Sequence, residues 1–244
     1  MANWSDPRTT TSGPRTAFGR DAQVAGYDAG LRSYMLSIYN YMASGVLLTG
    51  IVALLFASSG YAAQVMQTPL RWVIVLAPLA FVMVLSFGIH RLQESTAKAL
   101  FWAFAVAMGL SMSTLFLVYT GQSIATTFFA TAAAFAGLSL WGYTTKKDLS
   151  GFGTFLIMGV VGLLVASLVN IFLQSTALQL AVSVIGVLLF AGLTAYDTQR
   201  LKSMYFQLQG TEFMGKAVIM GALQLYLDFI NMFTFLLQLF GDRR

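Results

Sequence analysis

Long apolar stretches broken by short polar punctuation run along this chain from residue 33 to residue 240. Charge-free runs at 33–70, 72–90, 99–145 and 149–196 are each long enough for one or two membrane crossings, at about 20 residues per helical span. The punctuation predicts seven helices, at 33–57, 72–90, 98–120, 123–143, 151–173, 177–199 and 217–240. Ser58-Ser59-Gly60 closes the first, and Gln67-Thr68-Pro69 precedes the second. Gly121-Gln122 turns the third into the fourth, and Gln174-Ser175-Thr176 separates the fifth from the sixth. Pro78 falls inside the second helix, a kink that neighbouring helices in a membrane can accommodate. No internal repeat stands out, so an inverted-repeat transporter is not indicated. The expected fold class is all-α, a polytopic membrane protein.

Composition agrees: 57% of residues are apolar and 9% charged, against about a quarter charged in soluble domains. Mean hydropathy is +0.73. Residues 1–30 are polar and Gly/Ser/Thr-rich, with Pro7 and Pro14, and lack the apolar core of a signal peptide. They read as a disordered tail before a transmembrane domain over 31–244, with the first span an uncleaved anchor. The absence of cysteine removes disulfides, thiolate chemistry and zinc–thiolate sites together. Lysine and arginine then set the orientation. Eleven lie in the tail and in the loops after spans two, four and six, against three (Arg71, Arg243 and Arg244) on the other face. That asymmetry puts the amino terminus in the cytoplasm. Arg243 and Arg244 fit poorly outside, which leaves a re-entrant last segment as the alternative. The net charge of +5 is thus mostly a topology signal, with no nucleic-acid footprint. Small residues four apart, Ala105/Gly109/Ser113 and Gly162/Ala166, let helix backbones approach. Trp72, Trp102, Trp141, Tyr61 and Tyr143 fall near span ends, as interfacial anchors do.

Against this background two acids stand out. Asp197 and Asp228 are the only charges in the last two predicted helices. A carboxylate at bilayer depth costs a few kcal/mol (about 3 on insertion scales) and usually marks a functional site. In the last helix Gln224, Asp228 and Asn231 fall within an arc of about 60°, one polar stripe that should face the bundle interior. Thr194 and Asp197, three apart, share a face of the sixth helix. If the sixth helix continues past Lys202, Asp197 lies about a turn or two inside the membrane, and the two carboxyls meet if the last helix begins late, near Val218 to Gly221, or the sixth tilts. If they meet, both cannot stay ionised in a low dielectric, and the pair holds one proton and titrates as a unit. Protonated, it is a latch between two helices; deprotonated, it repels itself and gathers a cation. Calcium suits the oxygens on offer, two carboxylates with Asn231, carbonyls and water, because Ca²⁺ accepts six to eight oxygens in loose geometry. The plainer reading makes Asp197 a helix cap in interfacial water. Arg91, after the second helix, is either a cation that reaches Asp197 or an ordinary snorkelling arginine. His90 is the only histidine and cannot build a metal cluster alone. Lys146-Lys147-Asp148 reads as a solvated loop, and Asn40 and Asn170 as interhelical hydrogen-bond partners.

Four stretches carry a family resemblance: DAGLRSYMLSIYNYMASG from Asp28, TKKDLSGFGTFLIMGVVGLLVASLVNIF from Thr145, AYDTQRLK from Ala195 and ALQLYLDFINMFTFLLQLFG from Ala222. In this order they resemble the bacterial branch of the Bax-inhibitor (transmembrane Bax inhibitor motif) family. The last is the most specific, an acid embedded in Leu-Tyr-Leu-Asp-x-Ile-Asn. The resemblance implies six helices wrapped around a central seventh. It also implies a pH-sensitive calcium leak gated by an aspartate dyad, carried over to Asp197 and Asp228. An arginine near the end of the second helix that holds the dyad closed carries over to Arg91. Some bacterial members are tied to a membrane-anchored AAA protease, so such a protease is a candidate partner beside the lipid bilayer.

Three functions compete. A cation leak channel, with calcium as the ion, leads; it requires no cofactor. A regulatory protein acting by contact with a membrane protease or a stress pathway is the second. An aspartyl intramembrane protease is the third. Tyr196-Asp197 echoes the first half of that signature, but Asp228 sits in Tyr-Leu-Asp with no Gly-x-Gly-Asp and no Pro-Ala-Leu following. The expectation is therefore a non-enzyme.

Overall fold

The computed structural model describes residues 17–244, with side chains from residue 29 onward. The expectation of a disordered tail over residues 1–16 lies outside the described residues. Eight helices follow in chain order: α1 (Ala17–Ser58), α2 (Tyr61–Met66), α3 (Leu70–Gly88), α4 (Glu94–Val118), α5 (Gly121–Thr144), α6 (Ser150–Leu173), α7 (Thr176–Leu208) and α8 (Met214–Phe240). All but α2 are long and apolar enough to cross a membrane, so the all-α polytopic class and the seven spans stand. Among the described residues the only β pairing is an isolated bridge between Tyr119 and Arg243.

The boundaries differ in three places. Helix α1 already runs from Ala17, so residue 30 marks no break in the backbone. The short α2 occupies what reads as a loop. Helix α7 continues to Leu208, well past the predicted end at 199. The continuation is amphipathic: Leu201 and Tyr205, four apart, are both buried and keep one face of the helix on the bundle.

Helix α8 is the axis of the bundle. It packs on α7, α1, α5 and α4, while α3 leans on α4 and α6 on α7 from outside. Its sequence explains the position. Ile219, Leu223, Leu225, Tyr226, Met232 and Leu237 are almost completely buried over one half of the helix, and Gln224, Asn231, Thr234 and Gln238 on the other face are half-buried, so the helix is enclosed with its polar stripe inside the bundle. In contrast α6 exposes Phe155, Met158, Val161 and Leu164, side chains at home only against lipid. Two close approaches set the spacing. A side chain at Gly142 of α5 would run into the carbonyl of Ala195 in α7. A Cβ on Gly221 would stand 2.8 Å from Leu201 and 3.0 Å from Ile38.

The bundle has a basic end, carrying Arg91, Lys146, Lys147, Arg200 and Lys202, and an opposite end, where the chain finishes. After α8 the chain is tied to the α4–α5 turn. Thr120 N–H donates to the Asp242 carbonyl at 3.0 Å, and Arg244 N–H to that of Val118 at 2.9 Å. Asp242 N–H donates to Ser123 Oγ at 2.9 Å. Helix α8 is continuous over 27 residues, about 40 Å at 1.5 Å per residue, more than the roughly 30 Å of a hydrocarbon core. It runs from one end of the bundle to the other, so the last segment is not built as a re-entrant hairpin.

Candidate functional site

The packed face of α7 carries Phe190, Thr194, Asp197, Leu201 and Tyr205, all buried at helical spacing. That spacing turns Asp197 inward onto α8, where Asp228 is equally enclosed; the two are 3% and 4% exposed. Their side chains, and that of Gln224 beside Asp197, lie close enough to act on one another directly. Two carboxyl oxygens facing each other need a proton between them, since two bare carboxylates would repel in a low dielectric. Asp228 Oδ2 is buried without a partner among the described residues, a state that generally costs about 1–3 kcal/mol.

The meeting does not rest on a late start of the last helix. Helix α8 starts at Met214. The continuation of α7 past Lys202 does the work instead. Asp197 lies eleven residues before the end of α7, and Asp228 fourteen residues into α8, about 16 and 21 Å along their helices. Asp197 is therefore an interior residue of α7, buried against α8, and does not cap the end of its helix.

The other candidate residues separate. Gln224 joins the pair. Thr194 is buried but spends its hydroxyl on its own helix, donating to the Phe190 carbonyl at 2.8 Å. Asn231 likewise donates its amide to the Leu227 carbonyl at 2.8 Å. Arg91 is exposed beyond α3, and the structure brings neither aspartate to it. The cation whose charge acts on Asp197 is Arg200, three residues further along α7. The one ion pair among the described residues is Lys98 with Glu94. His90 stacks on Phe213 with ring centroids 5.3 Å apart. In the exposed α5–α6 loop, hydrogen bonds from the Ser150 side chain and backbone hold the Asp148 carboxyl below the usual aspartate range. Asn170 bonds across to Gln179 of α7 at 3.0 Å, the interhelical role expected of it. Asn40 is exposed, with no such partner among the described residues.

Two polar clusters escape the sequence reading because they are made of hydroxyls and amides scattered over separate helices. Tyr39 of α1, Ser139 of α5 and Thr198 of α7 form a chain, with contacts of 2.5 and 2.8 Å. Gln179 donates to Gln238 of α8 at 2.8 Å, and Ser183 donates to the same oxygen at 3.0 Å.

Chemically the aspartate pair is a small set of hard oxygens. The described residues contain no group of three or more His, Cys, Asp or Glu side chains able to hold a metal. Two carboxyls and Gln224 supply too few ligands for the six to eight oxygens calcium prefers. Water must complete the shell, which suits an ion in passage better than a resident one. None of the major cavities is lined by either aspartate. The pair is sealed in this conformation. At the opposite end a cavity of about 430 Å³, lined by Thr120, Ser123, Thr127 and Asp242 among others, opens between α5 and α8.

Comparison with known proteins places these features in context. A family model described as Inhibitor of apoptosis-promoting Bax1 matches residues 31–244. A protein of Caulobacter vibrioides is 53% identical over 178 residues, covering 72% of this chain and 71% of its own. The Inner membrane protein YbhL of Escherichia coli is 48% identical over 207 residues, 83% of this chain and 88% of YbhL. A Rickettsia prowazekii protein is 45% identical over 204 residues, 83% of this chain and 86% of its own.

Proposed function

The chain belongs to the Bax inhibitor family, and on that premise we propose that it is a pH-sensitive cation leak channel of the inner membrane, with calcium as its ion. The observation that carries the reading is the contact between Asp197 and Asp228, buried together between α7 and the axial helix. With a proton shared between them they clasp the two helices. When that proton leaves, two negative charges in a low-dielectric interior repel, and the lowest-energy remedy is a hydrated cation between them. Separation of α7 from α8 at this level then opens a path through what is now a sealed contact. Calcium is the substrate here, not a cofactor. The excess of lysine and arginine at the basic end supports a cytoplasmic placement of that end and of the amino terminus.

The test is calcium flux into vesicles followed from about pH 6 to about pH 8 and read as one titration of the pair rather than of either residue. The parent is expected to respond to pH, and Asp197→Asn and Asp228→Asn each to flatten the response, since an amide neither shares nor loses that proton. If both variants match the parent at every pH, the gate lies elsewhere.

A further inference from the structure

Helices α1 and α5 both lie against α8 but are not a principal packed pair, and the hydrogen bond between the Tyr39 and Ser139 hydroxyls bridges them. The gap between them is a groove on the lipid-facing side, floored by Phe229, Ile230 and Phe233 of α8. Three adjoining cavities make it up. The one nearest the basic end, about 690 Å³, is lined by Arg32, Met35, Tyr39, Ala43, Ala136 and Tyr143 among others. It shares Met42, Ala43 and Phe135 with the middle cavity. The middle cavity shares Val46 and Phe128 with the third, about 540 Å³, which reaches Leu54 and Arg244.

Depth, charge and width each limit what can lie there. From Arg32 to Ala43 is eleven residues of α1, about 16 Å of helix, or one leaflet of a roughly 30 Å hydrocarbon core. The exposed Arg32 stands at the mouth of this cavity, at the end of the bundle that carries the basic loops. Lys202 is close by, donating to the Tyr143 carbonyl at 2.9 Å. Ala43 and Ala136, both small and exposed, hollow out the walls. A second helix, about 10 Å across with its side chains, cannot enter between walls joined by a 2.5 Å hydroxyl contact. A hydrocarbon chain can.

We propose that the α1–α5 groove between Arg32 and Ala43 is a phospholipid-binding site, with one acyl chain lying between the helices and the lipid phosphate on Arg32. The site is independent of the cation reading. The bound chain covers the Tyr39–Ser139–Thr198 hydroxyl chain from the bilayer, and its occupancy is a property of this groove rather than of the whole apolar surface.

The protein in vesicles of phosphatidylethanolamine and phosphatidylglycerol, doped with phosphatidylglycerol bearing a photoreactive acyl chain, provides the test by peptide mapping of the adducts. Labelling is expected to concentrate on residues 35–43 and 136–140, several-fold above the equally apolar outer faces of α3 and α6. Ala136→Phe and, separately, Ala43→Phe should remove that excess while α6 labelling stays constant, which controls for misfolding. Arg32→Gln should reduce it and Arg32→Lys restore it. Uniform labelling of α1, α5, α3 and α6 overturns the proposal, as does persistence of the excess in both phenylalanine variants. Cross-linking of two chains through these residues would put a second copy in the groove and overturn it equally.

Discussion

Helices α7 and α8 are joined by polar groups at two levels, and the two junctions are built on opposite principles. Toward the end where the chain finishes, Gln179, Ser183 and Gln238 form a neutral clasp, extended to α6 by Asn170. Even the second face of Asn170 is used, its Oδ1 accepting from Ser175 N–H at 3.0 Å. Deeper toward the basic end, Asp197 meets Asp228, with Asp228 Oδ2 left unpartnered. The clasp contains nothing that titrates, so it has one state at every pH. On the proposed function the aspartate pair has two, with and without the shared proton. An axial helix held by a fixed clasp at one level and a switchable contact at the other can pivot without leaving the bundle, and both junctions lie in a medium where a lost hydrogen bond is not replaced by water.

The largest expected effect breaks the switchable junction. Combining Asp197→Asn with Asp228→Asn should abolish the pH response of calcium flux no more completely than either change alone, because residues acting as one unit are not additive. Additive losses in that double-mutant cycle would mean two independent sites.

Straining the same half of the interface comes next. Gly142→Ala drives a methyl group into the Ala195 carbonyl, two residues from Asp197, and backbone yields less readily than side chain. A loss of about 3 kcal/mol, the upper range for overpacking, should appear as a lowered Tm in detergent. Wild-type stability would show that α5 and α7 are not held at this spacing.

Breaking the clasp should cost less and leave the switch intact. Gln238→Leu strands Gln179 Nε2, while the Ser183 hydroxyl keeps the Gln179 carbonyl as its acceptor at 2.9 Å; the loss of about 1 kcal/mol for a part-buried group is again read as Tm. The pH response of flux should survive. Its disappearance would erase the distinction between the two junctions.

The smallest effect concerns Asp148, outside the spans. Its carboxyl is held below the ordinary aspartate value by hydrogen bonds from Ser150. A depressed folded value means that its contribution is present above the ordinary aspartate value, about 3.9, and is lost as pH falls through the lower folded one. That window lies well to the acid side of the gating range, so Asp148→Asn should leave the flux profile unchanged. An NMR titration of Asp148 should give a midpoint below the ordinary value, shifted upward by Ser150→Ala.

Much of this was legible from residue pattern alone. Span number follows from apolar run length, and the inward turn of α8 from the polar stripe of Gln224, Asp228 and Asn231 on an otherwise mostly apolar helix. The importance of Asp197 and Asp228 is visible because charge is so rare in these segments. Their meeting was not, because helix depth depends on where α7 ends, and Leu201 and Tyr205 prolong it through a stretch whose arginine and lysine read as the interface. Asn231 and Thr194 share helix faces with the aspartates yet bond to their own backbones, a choice that periodicity does not reveal. The amide clasp was half visible: Asn170 is an obvious interhelical donor, but its pairing with Gln179, and through it with Gln238, depends on tertiary contacts far apart in sequence.

On the proposed function, loss of the shared proton lets α8 part from α7 at one level while the clasp holds it at the other. With no native cysteine to interfere, spin labels can be placed at Ser203 and Lys216 near the basic end, and at Leu180 and Phe240 near the clasp. As pH rises from about 6 to about 8 and the pair titrates as a unit, the first distance should lengthen in the parent and stay fixed in Asp228→Asn, with the second constant in both. No change at the basic end, or the same change at both ends, contradicts the claim.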